Sequence, residues 1–266
     1  MNKSFKLYKY KKTLILSTLV TILIASFSIV MIINQQSKTK QNKILATKQE
    51  NIRKLADEKA VTAAKVSQLA NKSSEKNKNY LALEAYKKVL QNKAEFFSTD
   101  NKRNVYLNDF LTNEEIFGAI FKVTHFTVLD MVGDKVPEVV LELSVGNNNP
   151  ICYEVLHYMN GAVHGYNIVY RGLERLKTDG TFWGSSGAAD NKCGKLKFSS
   201  KAYETDILGY SQSSQGDANL TISYFINNKP VTEESFNSFS KKQDGKKDVV
   251  WHEFSEKNIA TELSLN

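Results

Sequence analysis

An uncharged apolar run dominates the N-terminal part of the chain. It extends from Thr13 to Ile33, and its 21 residues read TLILSTLVTILIASFSIVMII. As an α-helix this run spans about 30 Å, which is the thickness of the hydrocarbon core of a bilayer. The residues before it contain five lysines and no acidic side chain. The pattern predicts a single transmembrane helix at 13–33 that follows a basic cytoplasmic tail at 1–12.

Two other kinds of N-terminal segment fit the run less well. A cleaved signal peptide has a shorter apolar core that ends in small residues, whereas this run ends in the bulky stretch 29–33. A lipoprotein needs a cysteine directly after the core, and the first cysteine here is Cys152. The sequence therefore predicts an uncleaved signal-anchor in the cell membrane, with membrane lipid around residues 13–33 and an extracytoplasmic C-terminal portion.

The excess of positive over negative charge lies in the first third of the chain. The formal net charge is +8, but residues 1–80 carry +12 and residues 81–266 carry −4. Lysines beside an apolar run interact with anionic lipid headgroups, whereas nucleic-acid binding requires a basic face on the folded domain. The sequence therefore predicts no nucleic-acid partner.

Residues 34–79 contain no proline or glycine and predict a helical stalk or linker. Five apolar residues fit the a and d positions of a heptad pattern, while Lys48, Lys59 and Thr62 occupy other core positions. Both a weak coiled coil that allows self-association and a solvated helix fit this pattern. The polar stretch 71–79 indicates a break before the domain. The five apolar residues are Leu45, Ile52, Leu55, Val66 and Leu69.

Residues 80–266 predict one extracytoplasmic domain. An amphipathic helix over 80–97 comes first, and alternating strands then come in runs, with a helix at 233–242 that Thr232 caps and a last strand near 248–254. This order predicts an α+β fold with flanking helices around one antiparallel sheet built from hairpins.

Two hairpins are expected within this sheet. Strands at 123–131 and 136–145 surround a Gly-Asp turn, with Phe126 opposite Leu141 and Val128 opposite Val139 on one apolar face. Strands at 151–159 and 162–170 surround Asn160-Gly161, and this register places His157 opposite His164.

The segment from Asp130 to Glu138 resembles the calcium-binding loop D-x-D-G-D-G-x-x-E. Asp130, Asp134 and Glu138 are candidate Ca²⁺ ligands. Val132 and Lys135 replace the carboxylate and the glycine that such a loop has at its third and sixth positions. An ordinary turn with polar residues is the other interpretation.

Two further pairs of side chains are candidates. His157 and His164 could supply half of a zinc site, or they could be a hydrogen-bonded pair at the edge of the core. Cys152 and Cys193 could form a disulfide outside the cytoplasm, or they could be two separate buried thiols.

The irregular stretch after Arg171 is rich in Gly, Ser and Asp. Asp179 and Asp190, with Trp183 as a stacking wall, are candidate ligand-binding residues, because long loops of this composition often carry function. A surface loop without a ligand is the alternative. The serines near Gly184 do not form a nucleophile elbow, so no catalytic residue is assigned.

Four segments together resemble a group of uncharacterised membrane-anchored or lipoprotein-like extracytoplasmic proteins of low-GC Gram-positive bacteria. The resemblance covers the chain from Tyr80 to the C-terminus. It implies an envelope location and a single domain, and it implies no catalytic residue. The segments are ALEAYKKVL, FTVLDMVGDKVPEVVLEL, YEVLHYMNGAVHGYNIVYRGLERLKTDGTFWGSSGAAD and INNKPVTEESFNSF.

These observations favour a membrane-anchored binding or envelope accessory protein without catalytic activity, whose partner is a cell-wall component or an envelope protein. One alternative is a cell-wall hydrolase that uses Asp179, Asp190 or the pair His157 and His164. Another is a bitopic assembly protein that dimerises through its stalk.

Overall fold

The computed structural model describes residues 3–114, 118–146, 150–169, 171–187, 189–215 and 220–264, without the side chains of 3–24, 63–64, 66–74, 215 and 220. The chain divides into two compact units, residues 1–70 and residues 71–266. The helices are α1 (Lys3–Leu90), α2 (Leu107–Leu111), α3 (Glu233–Asp244) and α4 (Glu256–Glu262). The strands are β1 (Phe96–Ser98), β2 (Arg103–Val105), β3 (Lys122–Leu129), β4 (Glu138–Ser144), β5 (Cys152–Met159), β6 (Ala162–Val169), β7 (Phe182–Ser185), β8 (Asn191–Phe198), β9 (Tyr203–Gln215), β10 (Leu220–Ile226), β11 (Lys229–Val231) and β12 (His252–Glu253).

Helix α1 runs without interruption through the predicted stalk and the predicted break. The expected amphipathic helix over 80–97 is the last part of α1, which ends at Leu90, and Phe97 lies in β1 instead. Residues 25–62 are exposed along their whole length. Among the described side chains of α1, the buried ones lie in its last turns, where it covers one face of a sheet; they are Ala82, Leu83, Tyr86, Val89 and Leu90.

The predicted transmembrane helix is wrong for the part of the chain that the structure describes. Among these residues no helix is long and apolar enough to cross a membrane. After the apolar run the helix continues through a polar stretch, since residues 34–43 read NQQSKTKQNK. Residues 13–24 of the prediction lie outside the described side chains. The signal-anchor, the cell-membrane location and the extracytoplasmic placement of residues 80–266 are corrected together with it.

The α+β domain contains two sheets, where one antiparallel sheet was expected. The first sheet has the strand order β12-β3-β4-β5-β6-β1-β2, and the second has the order β11-β10-β9-β8-β7. The first sheet is mixed, because β1 pairs with β6 in parallel. The described pairs of the second sheet are all antiparallel.

Alternation along β4 shows how residues 71–266 are layered. Val139, Leu141 and Leu143 pack into a core with the end of α1, α2 and α4. Val140 points to the opposite face and packs with residues of both sheets, such as Leu196 of β8. The first sheet is therefore covered by helices on one face and by the second sheet on the other.

The hairpin of β5 and β6 confirms its prediction. Val155 pairs with Tyr166 and His157 pairs with His164. Asn160 has φ 51° and Gly161 has φ 85°. These positive values are those of a type I′ turn, which Asn-Gly favours.

The hairpin of β3 and β4 has the expected register but a different turn. Phe126 pairs with Leu141 and Val128 pairs with Val139, as predicted. The strands end at Leu129 and resume at Glu138, so the connection is the longer loop 130–137 rather than a two-residue turn.

The C-terminal elements follow their local signals closely. Thr232 caps α3, since its side chain accepts a hydrogen bond from the backbone N–H of Ser235. Ser255 caps α4 in the same way through Asn258. The last strand is shorter than predicted, because β12 comprises only His252 and Glu253.

Candidate functional site

Three polar side chains lie in a row across the face of the first sheet that meets the second sheet. The pairing of β4 with β5 sets Val139 opposite Leu156, and this register places Glu138 opposite His157. The pairing of β5 with β6 sets His157 opposite His164. The row begins at the end of loop 130–137, where the strand β4 starts.

Glu138 and His157 form a buried hydrogen-bonded pair. Glu138 Oε1 lies 2.8 Å from His157 Nδ1. Glu138 Oε2 accepts a hydrogen bond of 2.7 Å from the backbone N–H of Met131. The Glu138 side chain is fully buried and that of His157 is 8% exposed. Both carboxylate oxygens are therefore occupied, while His157 Nε2 has no hydrogen-bond partner among the described residues.

Burial affects the carboxyl group of this pair. Desolvation is the main effect on Glu138 and raises the pKa of its carboxyl group from 4.5, although the hydrogen bonds from His157 and Met131 lower it. With one shared proton the pair carries a buried negative charge, which burial disfavours, whereas with two protons it is neutral overall. In the two-proton state Nε2 of His157 carries a hydrogen and is a donor.

His157 forms the floor of a pocket of about 360 Å³. Its ring stacks on Phe198, with the centroids 4.8 Å apart and the planes at 24°. Loop 130–137 forms one wall and the end of β8 forms the other. We call this cavity the His157 pocket; it is lined by Val132, Asp134, His157, Lys195, Leu196, Lys197, Phe198 and Asp206.

One of the two lysines that line the His157 pocket forms no ion pair among the described residues. Lys197 forms an ion pair of 3.0 Å with Asp206. The Asp134 carboxylate accepts a hydrogen bond from the backbone N–H of Val136 and lies 3.7 Å from the Lys78 ammonium. Lys195 forms no ion pair or hydrogen bond with any side chain in the described ranges. Lys195 faces Asp206 across the pairing of β8 with β9, so the pocket offers one ammonium group without an ion pair, a carboxylate opposite it, and the His157 ring.

His164 does not line the His157 pocket. Its ring lies beside Phe97, with centroids 5.5 Å apart. Its Nδ1 atom is buried without a hydrogen-bond partner among the described residues. Burial, followed by the nearby His157, lowers the pKa of His164 from 6.5. The two histidines are neighbours, but no group of three or more His, Cys, Asp or Glu within the described ranges could hold a metal ion.

The carboxylates of the predicted calcium loop bond to the loop itself. Asp130 accepts hydrogen bonds from the backbone N–H groups of Gly133, Asp134 and Lys135. The Lys135 ammonium lies 3.1 Å from Glu75. Asp134 and Glu138 have the partners described above, so the structure does not direct the three candidate carboxylates to one point.

The other candidate ligand residues are also engaged in local structure. Asp179 accepts hydrogen bonds from Thr181 and lies 2.8 Å from the Lys246 ammonium. Asp190 accepts hydrogen bonds from the backbone and hydroxyl of Ser213. These contacts lower the pKa of Asp179 to about 2 and also lower that of Asp190. Neither aspartate lines the His157 pocket.

The candidate stacking wall Trp183 lies inside the core. It is 3% exposed and packs edge-on against Phe236 and Phe239. The guanidinium of Arg175 lies over its ring at 4.9 Å from the centroid. This environment leaves little of the indole for a ligand.

The two cysteines are free buried thiols in different cores. Cys152 packs against the helical layer and Cys193 packs beside Trp183 and Phe236. Burial raises the pKa of each thiol to about 11. Both thiols are therefore protonated and unreactive near neutral pH.

The sequence predicts the side chains of the buried pair but not the pair itself. Glu138 was a calcium candidate and His157 a zinc candidate, and only the pairing of β4 with β5 joins them. Lys195 and Phe198 carry no motif, since a strand of alternating lysine and apolar residues is an ordinary exposed pattern. Comparison with known proteins adds nothing to this geometry: no family model matches the chain, and no curated protein or solved structure matches it.

Proposed function

We propose that this protein is a binding protein and that the His157 pocket holds a carboxylate group of its ligand. The observation that carries the proposal is the buried pair of Glu138 and His157 beneath an open cavity. In its neutral two-proton state this pair presents a fixed N–H donor, and Lys195 adds an ammonium group that forms no ion pair among the described residues. A hydrogen-bond donor and one free cation together suit a singly charged anion.

The charges around the pocket favour a carboxylate over a phosphate. Asp134 and Asp206 both line the cavity. A phosphate carries more than one negative charge near neutral pH, and only one ammonium is free to compensate it. A volume of about 360 Å³ is at the lower end of the range for small-molecule sites. The pocket therefore suits one small carboxylate-bearing group.

Hydrolysis is the second candidate, because a carboxylate that orients an imidazole is also the arrangement of a general base. A general base needs a lone pair on Nε2, and the pair provides one only after it loses a proton and becomes negatively charged in a buried place. Binding is therefore the function that the geometry supports better. If an N-acetylvaline ester were hydrolysed at a rate that increases with pH and is lost in His157→Gln, catalysis would replace binding as the proposed function.

The proposal is tested by following the histidine rings of the full chain. The chain has four histidines, so selective ¹⁵N labelling gives four assignable ring spectra. Titration with N-acetylvaline should shift the Nε2 resonance of His157, while N-acetylvaline amide and inorganic phosphate should bind at least about ten-fold more weakly.

Two lysines of β8 provide a matched pair of variants. Lys195→Gln should weaken N-acetylvaline binding about ten-fold, because it removes the free ammonium. Lys192→Gln changes an exposed lysine on the same strand that does not line the pocket, and it should bind like the unaltered protein. Equal binding of the acid and its amide, or the absence of any shift at His157, would contradict the proposal.

A further inference from the structure

Strand β8 has a free edge along the His157 pocket. On one side, β9 pairs with β8 from Lys192 to Phe198. On the other side, β7 pairs only with residues 191–194 of β8. The four residues 195–198 therefore have no strand on that side within the described ranges, and they line the pocket.

The turn before β7 explains why this edge is free. If β7 continued backwards, Thr181 would pair with Lys195. The backbone N–H of Thr181 instead donates to Asp179 Oδ1 at 3.0 Å, and its C=O accepts from the N–H of Lys177 at 2.8 Å. The Lys246 ammonium holds the turn through Asp179 at 2.8 Å. Both backbone groups of Thr181 are thus used within the turn, so the ladder stops at Phe182.

We propose that the His157 pocket binds the C-terminal end of an extended peptide, which adds to the free edge of β8 as a strand. This inference rests on the proposed carboxylate site and names the chemical class of the ligand. Alternate residues of 195–198 present their N–H and C=O groups to the pocket, and an added strand satisfies them. The four-residue edge is about 13 Å long, which accommodates about three residues of a peptide.

The direction of the peptide follows from β7. A strand that occupies the place of the missing part of β7 runs antiparallel to β8 and advances from Phe198 towards Lys195. The turn at 177–181 blocks it there, so the chain of the peptide has to end. A free C-terminal carboxylate at this point meets the Lys195 ammonium, which forms no ion pair among the described residues, and it lies in the same pocket as the His157 ring. A side-chain carboxylate would be less suitable here, because the peptide chain that carries it would have to continue past Lys195 into the turn.

The experiment compares four probes on the full chain: N-acetylvaline, acetyl-Val-Thr-Val with a free C-terminal carboxylate, and this tripeptide N-methylated at either the Thr or the last Val. Valine and threonine suit an extended conformation. The tripeptide acid should bind at least about ten-fold more tightly than N-acetylvaline. One N-methyl derivative should lose this gain, because the N–H that the methyl group replaces faces β8. The other should keep the gain, because the N–H that it replaces faces away from β8.

The outcomes separate this inference from the proposed function. If the tripeptide acid binds no more tightly than N-acetylvaline, or if both N-methyl derivatives bind as well as the parent peptide, strand addition is overturned while the carboxylate site stands. If no probe shifts the His157 resonance, the carboxylate site itself is overturned. A gain that only one N-methyl group removes supports strand addition, because a carboxylate contact alone does not depend on the backbone N–H groups.

Discussion

Gly165 provides the space that the carboxylate of Glu154 occupies. The two residues are on neighbouring strands, and a Cβ atom at position 165 would overlap with Glu154 Oε1 and with the ring of Phe96. Glu154 is fully buried; its Oε2 accepts a hydrogen bond from Asn167, and its Oε1 has no partner among the described residues. Burial, followed by repulsion from Asp100, raises the pKa of Glu154 well above 4.5. The core therefore holds this side chain as a neutral acid.

This neutral acid predicts how stability depends on pH. Because the pKa of Glu154 is higher in the folded state than in the unfolded state, its contribution is complete at low pH and is lost as pH rises towards the folded pKa. Glu154→Gln keeps the acceptor for Asn167 and removes the titration. The stability of this variant relative to the unaltered protein should increase by about 1.4 kcal/mol for each pH unit in that window.

Urea denaturation at a series of pH values from 4 upward measures this difference. Glu95→Gln, which changes an exposed glutamate, is the control and should follow the profile of the unaltered protein. A constant difference between Glu154→Gln and the unaltered protein at all pH values would show that the carboxyl group does not titrate on unfolding.

The Glu138–His157 pair predicts a pH dependence of binding. As pH rises through the raised pKa of Glu138, its carboxylate comes to accept the ring hydrogen at Nδ1, Nε2 of His157 stops being a donor, and N-acetylvaline binding should weaken. Glu138→Gln retains an acceptor for the N–H of Met131, and its amide donates to Nδ1, so the hydrogen of the ring stays on Nε2. Binding to this variant should therefore change less than about two-fold across the pH range in which the raised pKa of Glu138 makes the unaltered protein lose about ten-fold or more.

Histidine-ring NMR titrations at several pH values measure this effect. Glu142→Gln is the matched control, because Glu142 is on the same strand and pairs with His125 at 3.1 Å, away from the pocket. The control should keep the pH dependence of the unaltered protein. If Glu138→Gln also kept it, the proton would have to be lost from another group.

Gly180 predicts a coupling between the turn before β7 and the pocket. It has φ 78°, and a Cβ atom there would overlap with the backbone of Met131. Gly180→Ala should cost about 2–4 kcal/mol of unfolding free energy from the overlap and the left-handed backbone. It should also weaken N-acetylvaline binding, because Met131 donates to Glu138.

Gly187→Ala is the control, since a Cβ atom there comes no closer than 3.3 Å to its neighbours. Its free energy of unfolding should stay within about 1 kcal/mol of that of the unaltered protein. Equal losses in both variants would contradict this coupling.

Local sequence signals predict the registers of the hairpins but not the arrangement that forms the pocket. Alternation and the Asn160-Gly161 turn determine that His157 faces His164, because both operate over a few residues. The contact of Glu138 with His157 depends on β5 pairing with β4 across the connection 145–151, whose Gly, Asn and Pro residues predict a turn but not a register. The free edge of β8 depends on the hydrogen bonds of Thr181 within the turn before β7, which end the pairing of β7 with β8 at Phe182. Such features follow from tertiary pairing, which sequence periodicity does not determine.

Two errors about residues 71–266 have physical causes. The polar composition of 71–79 predicts a break, yet a helix continues through polar residues, even Asn and Ser of modest helix propensity, when no proline or glycine interrupts it. The single antiparallel sheet was inferred from a run of strands. A parallel contact between the short strand β1 and β6 cannot be read from alternation, because β1 has only three residues.

Lys135 provides the last prediction, because it has φ 69° at the position where a calcium loop has its glycine. A left-handed conformation costs a residue with a Cβ atom about 1–2 kcal/mol, and the extra freedom of glycine in the unfolded chain offsets about 0.5–1 kcal/mol. Lys135→Gly and Lys135→Ala both remove the exposed ion pair with Glu75, so their difference isolates the backbone. Lys135→Gly should be more stable than Lys135→Ala by about 0.5–1 kcal/mol in urea denaturation. If alanine were as stable as glycine, the loop would not need the left-handed conformation that lets Asp130 accept the N–H of residue 135, and the wall of the His157 pocket would be set by other contacts.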